Sequence, residues 1–142
     1  MIEDLWENIE TLYKKLPLNT RNRLYLTFLM YRHYVLNHNW KITYQELLDN
    51  FQIKLSEKRI GDYEELFQNI EQYEEKVSKL LGDNWTFDRL NNLDKSVLIL
   101  GCYEINYLKI TKNIVINEYL KVIKLFNVDD NYNYINSVLD KI

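Results

Sequence analysis

The sequence predicts an all-α protein, and three observations carry that prediction. Apolar residues recur three and four positions apart through nearly the whole chain, the spacing that lines one face of a helix. Turn formers are scarce, with 3 Gly and 1 Pro in 142 residues, whereas a chain of many short strands needs them at every hairpin. Neither a strand–helix alternation nor a repeat period is present. The length fits one domain, at most one with two lobes. An apolar content of 46% with 27% charged residues is that of a folded chain, not a disordered one.

The elements follow in order. Ile2, Leu5, Trp6, Ile9, Leu12, Tyr13 and Leu16 form one helical stripe, stopped by Pro17. Thr20 is the expected cap of a second helix running to about Leu36. Leu24, Phe28, Tyr31 and Val35 line one side of it, and Tyr25, Leu26, Leu29, Met30 and Tyr34 cover most of the rest. A helix apolar nearly all round is expected at the centre of a domain. Thr43-Tyr44-Gln45-Glu46 has capping-box spacing and opens a short helix to Phe51. Asp62 is the expected cap of a long helix carrying Tyr63, Leu66, Phe67, Ile70, Tyr73, Val77 and Leu80 inward, with Gly82 as its stop. Thr86 caps a short turn around Phe87–Leu90, and helices are expected at about 93–108, 113–126 and 131–141.

The chemistry these residues exclude is informative. His33 and His38, the only histidines, are five apart and do not stack on one helical face, so they make a poor metal pair. Cys102, the single cysteine, has no base nearby in sequence and reads as a small core residue. The glycines at 61, 82 and 101 are isolated, so no phosphate-cradling loop exists. No catalytic constellation emerges, and no cofactor or metal is expected. No apolar run approaches the ~20 residues of a membrane span, and the N-terminus carries Glu3 and Asp4 where a signal peptide carries bases. The expected location is the cytoplasm.

Charge is segregated along the chain. The net charge is −3, yet residues 11–45 hold six bases (Lys14, Lys15, Arg21, Arg23, Arg32, Lys41) and no acid, between an acidic first ten residues and an acid-rich 46–90. Such segregation builds a local cationic surface on an acidic protein.

The stretch from Asn84 onward carries identity. It reads Asn84-Trp85-Thr86-Phe87-Asp88-Arg89-Leu90, then Leu93-Asp94-Lys95-Ser96-Val97-Leu98-Ile99-Leu100-Gly101-Cys102-Tyr103-Glu104-Ile105, then Val115-Ile116-Asn117-Glu118 and Tyr134-Ile135-Asn136-Ser137-Val138-Leu139-Asp140. These four blocks, in this order, resemble the NusB family of transcription antitermination factors. Upstream, Arg21-Asn22-Arg23 followed by Met30-Tyr31 is similar to the family's arginine-rich start and Leu-Tyr helix. The resemblance covers about 20–142 and implies two roughly perpendicular three-helix bundles, with subdomains at about 20–81 and 82–142. Residues 1–19 are then an additional N-terminal amphipathic helix.

Read for themselves, the same blocks contain polar anchors. Glu104 interrupts the apolar face formed by Val97, Leu100 and Leu108, so it is expected to join helices through hydrogen bonds. Asn136 is expected to brace the last helix. Asn117 and Glu118 are placed in a first helical turn, where they serve the free backbone amides and the dipole, with ligand contact by Asn117 as the alternative, and Trp85 is read as a linker anchor. Arg21 and Arg23 are placed in the first turn of their helix, where an anion offsets their repulsion from the macrodipole. Arg32 lies eleven residues beyond Arg21, close in helical phase and about 16 Å along the axis, with Tyr25 between for stacking.

The resemblance implies binding of boxA-type single-stranded RNA in rRNA transcripts, together with the ribosomal protein NusE, within the RNA polymerase antitermination complex. RNA contacts are expected at Arg21, Arg23, Arg32, Lys14, Lys15, Tyr25, Lys95 and Asn117. The acid-rich helix 62–81 is the expected dock for the basic ribosomal protein. The family fold also fronts some rRNA cytosine methyltransferases, and with no cofactor domain after it this chain is expected not to methylate. The alternative is a divergent module of the same fold that serves protein contacts in ribosome assembly, or self-association as a homodimer, without strong RNA binding.

Overall fold

A computed structural model describes residues 15–49, 53–83, 85–126 and 132–142. The stripe expected over residues 2–16 lies, up to Lys14, outside the described residues. Every regular element described is helical: α1 (Leu18–Val35), α2 (Trp40–Leu48), α3 (Glu57–Gln68), α4 (Ile70–Ser78), a 3-10 turn (Phe87–Arg89), α5 (Asn92–Asn106), α6 (Lys112–Leu125) and α7 (Tyr132–Asp140).

Local chemistry sets the boundaries, and several differ from the expected ones. Pro17 precedes the first turn of α1, so Thr20 is not a cap but lies inside the helix, where its hydroxyl donates to Glu118 Oε1 at 2.9 Å. Asn39, not Thr43, caps α2 by accepting from the amides of Lys41 and Ile42 at 3.0 and 3.2 Å. Thr43 is fully buried instead, with its Oγ1 2.6 Å from His33 Nδ1. Ser56 caps α3 ahead of Asp62 by accepting from Arg59 N at 3.1 Å. The long helix expected beyond Asp62 is broken at Asn69, whose side chain donates to the Glu65 carbonyl at 2.9 Å and competes with the backbone ladder. Asn91 caps α5 by accepting from Asp94 N at 2.8 Å.

The core explains the order of the layers. Helix α1 packs most extensively on α5 and also meets α6 and α2, which its all-round apolar surface requires. Leu24 and Met30 of α1 are fully buried, as are Val97, Leu98, Ile99 and Leu100 of α5. Helices α3 and α4 close one end against α2 and α5, and α7 closes the other against α5 and α6. Gly101 lets α7 approach: a Cβ there would lie 2.6 Å from Leu139 Cδ2. Cys102 is buried, and burial pushes its thiol pKa up.

Candidate nucleic-acid interface

The cationic residues of α1 divide by helical phase. At 100° per residue, Arg21, Tyr25, Phe28 and Arg32 fall on one stripe, whereas Arg23 stands about 200° from Arg21. The helix also begins at Leu18, so Arg23 lies in its second turn.

Arg23 therefore enters the protein. Its Nη2 donates to Glu104 Oε1 at 2.7 Å, its Nε to the same oxygen at 3.0 Å, and its Nη1 to Glu118 Oε1 at 3.2 Å. Tyr119 donates its hydroxyl to the other oxygen of Glu104. Burial alone lowers the Arg23 pKa, but the hydrogen bond and charge of Glu104, reinforced by Glu118, hold it above the ordinary value. Tyr119 is pushed far above the usual phenol range, first by burial and then by the Glu104 charge. The side chains of Arg23 and Glu104 are only 11% and 2% exposed. Arg23, expected as an RNA contact, is thus engaged inside the protein, where two carboxylates offset its charge. Helical phase was the signal available in the sequence, since positions two apart on a helix do not share a face.

The other expected contacts are spread over two ends of the domain. Lys15 is exposed just ahead of α1, and Arg21 is half-buried in its first turn, with its amide on the Pro17 carbonyl at 2.9 Å. Glu118 bonds Thr20 and Arg23, so α6 crosses the same end and brings exposed Asn117 there. Asn117 lies in the second turn of α6, not the first. Tyr25 is half-buried along α1. Lys14 lies outside the described residues.

Arg32, at the far end of α1, donates through Nε and Nη2 to Glu46 Oε2 at 3.1 and 2.9 Å, and His38 Nδ1 lies 3.4 Å from the other oxygen. Glu46 thus offsets the charge expected of Arg32 as an RNA contact. Lys95 is also at that end, with its ammonium 5.4 Å from the Tyr34 ring centre and 5.7 Å from that of Phe87. It borders a cleft of about 560 Å³ that also holds Trp40, Glu71, Glu74 and Asp88. Burial first, then the charges of Glu71 and Asp88, raise the Glu74 pKa against the lowering hydrogen bond from Tyr34. The cleft is net anionic, so Lys95 belongs to a mixed surface rather than a cationic strip.

One further placement differs from expectation: Asn136 is exposed on α7 and braces no packed interface among the described residues. Trp85, expected as a linker anchor, is 45% exposed, with the Tyr134 ring of α7 5.8 Å from its own. Sequence reasoning missed Glu118 and Tyr119 as partners of the Arg23–Glu104 pair and Thr20 as a donor to Glu118: the contacts made by Arg23 and Thr20 span 81 to 98 residues and leave no local pattern, and that of Tyr119 with Glu104 joins two different helices.

The arrangement is a helical scaffold with a polar junction at its centre. Among the described residues no cluster of His, Cys, Asp and Glu could hold a metal ion, and no helix is long and apolar enough to cross a membrane. Comparison with known proteins supplies what the geometry leaves open: the family model of the NusB family matches residues 18–142.

The chain belongs to the NusB family.

It is similar to the transcription antitermination protein NusB of Treponema denticola, at 42% identity over 53% of this chain and 55% of that protein. The NusB of Methylacidiphilum infernorum is 37% identical over 55% of this chain and 54% of its own length. That of Sulfurimonas denitrificans is 33% identical over 68% of this chain and 74% of the relative. The matched stretch spans about half the length of the first two relatives. In the NusB fold as this chain builds it, the family's Asp-Lys and Tyr-Glu blocks lie on α5. They supply the buried Asp94 at its start and the buried Glu104 near its end.

Proposed function

We propose that this NusB-family protein binds boxA-type single-stranded RNA of rRNA transcripts jointly with the ribosomal protein NusE, and that it acts by assembly rather than by bond-making chemistry. The observation that carries this reading is family membership over residues 18–142. Lys15 and Arg21 at the start of α1 and Asn117 on α6 are the residues proposed to meet RNA, with Tyr25 along the same stripe as Arg21. The carboxylates of Glu64, Glu71, Glu74 and Glu75 on α3 and α4 are proposed to meet the basic ribosomal protein. We further propose that the protein works in the cytoplasm.

The engagement of Arg23 by Glu104 and of Arg32 by Glu46 favours a second reading, a protein-interaction module of the same fold with weak RNA affinity. Electrophoretic mobility of boxA-type RNA, with and without purified NusE, decides between the two. A shifted RNA band that sharpens when NusE is added is expected. A NusE complex that leaves the RNA unshifted at low salt would establish the module instead.

A further inference from the structure

Trp85 lies just ahead of the 3-10 turn that precedes α5, Arg89 ends that turn, and both are exposed. Trp85 is 45% exposed, the Arg89 guanidinium carbon lies 5.9 Å from its ring centre, and the Tyr134 ring of α7 lies 5.8 Å away at 41°. Burial first, and then the charge of Asp94, raise the Tyr134 pKa, so the backing ring stays neutral. The indole thus has a guanidinium and a tilted aromatic ring as neighbours and keeps much of its surface in water.

A lone exposed apolar residue needs no explanation. An indole held against a neighbouring ring, with a guanidinium beside it, offers more: a flat π surface for a base and a positive charge for the phosphate next to it. Proteins that hold single strands without duplex recognition combine these two elements.

We infer that Trp85, backed by Tyr134 and accompanied by Arg89, stacks one base of a bound single-stranded RNA. The inference rests on the RNA-binding reading above and extends it to the 3-10 turn, whose Phe87 ring lies 6.0 Å from that of Tyr34 on α1. Trp85 supplies stacking, which is insensitive to salt, and Arg89 supplies a phosphate contact, which is not.

The test uses the full chain with a single-stranded RNA of boxA type and NusE, by fluorescence anisotropy at several salt concentrations. Trp85→Ala is expected to weaken binding ~10-fold without changing the slope of log K against log salt, and Trp85→Phe to retain most of the affinity. Arg89→Ala is expected to lower that slope by about 0.7, one phosphate contact on a single strand. A direct readout avoids dependence on variant stability. In the Trp6→Phe, Trp40→Phe background Trp85 is the one remaining tryptophan, and its emission is expected to be quenched as RNA saturates. RNA that binds with unquenched Trp85 emission and undiminished affinity for Trp85→Ala overturns the stacking inference while leaving the RNA reading intact. Wild type that binds no RNA overturns both. Loss of NusE affinity, with RNA affinity unchanged, reassigns the surface to a protein and also overturns the inference.

Discussion

The guanidinium of Arg23 lies 2.7 Å from the carboxylate of Glu104, across 81 residues of sequence, and joins α1 to α5 inside the domain. Glu118 at 3.2 Å and the Tyr119 hydroxyl complete the arrangement, so α6 is tied to the same point. Two carboxylates, one guanidinium and one phenol satisfy one another where water is largely excluded.

Breaking that pair leaves a charge buried without compensation. Arg23→Ala is expected to destabilise the fold by about 3–5 kcal/mol, measured as a shift of the urea midpoint at pH 7. Replacing both partners, Arg23→Met with Glu104→Leu, is expected to cost clearly less than the single change, because no orphaned carboxylate remains. A single variant as stable as wild type would contradict the role assigned to Arg23.

His33 gives a pH dependence of known sign. Burial, helped by the nearby His38 and opposed by Glu46, lowers its pKa from 6.5 to about 4. The unfolded chain therefore takes up a proton at this site below about pH 6.5, while the folded chain does not until near pH 4. Stability contributed by the neutral imidazole is present above pH 6.5 and falls as pH drops through that window, by about 3 kcal/mol in all. Urea titrations at pH 7 and pH 4.5 are expected to show a smaller loss for His33→Gln than for wild type. Equal losses would remove His33 from the account.

Much of the fold is legible in the sequence because amphipathic periodicity is a local signal, and the family blocks from Trp85 to Asp140 fix what periodicity leaves open. The central placement of α1 follows from its apolar surface on nearly every side. Helix starts are read less well. Thr43 and Asp62 carry capping chemistry as plausible as that of Asn39 and Ser56, and tertiary burial of Thr43 against His33 decides the matter. The candidate interface is legible only in part. The run of bases from Lys14 to Lys41 is visible as composition, but its division depends on phase. Arg23 turns inward to Glu104, Arg32 meets Glu46, and Lys15 and Arg21 lie at the opposite end of α1 from Arg32. Trp85 is read in sequence as a linker anchor, and nothing local reveals that nearly half of its surface stays exposed.

Close approach of α5 and α7 depends on Gly101. Alanine there gains helix propensity but meets Leu139 Cδ2 at 2.6 Å in a fully buried site. Overpacking is expected to win, with Gly101→Ala less stable by about 1–2 kcal/mol. Combining it with Leu139→Val is expected to cost less than the sum of the two single changes, as read by thermal unfolding.

Arg32 is engaged by Glu46, so its removal is expected to matter little to RNA. Under the proposed function Arg32→Ala changes RNA affinity less than twofold, while Glu46→Gln, which removes a negative charge beside the guanidinium, strengthens it at low salt. Filter binding at low ionic strength reads both. A large loss for Arg32→Ala would place RNA at the far end of α1.

The most direct test of the RNA-binding account is the salt dependence of boxA-type RNA affinity, in the presence of NusE, for wild type and for Lys15→Ala combined with Arg21→Ala. Two phosphate contacts removed from a single strand lower the slope of log K against log salt by about 1.4, and that reduction, with weaker binding at low salt, is the predicted result. Identical slopes and affinities for the two proteins would contradict it.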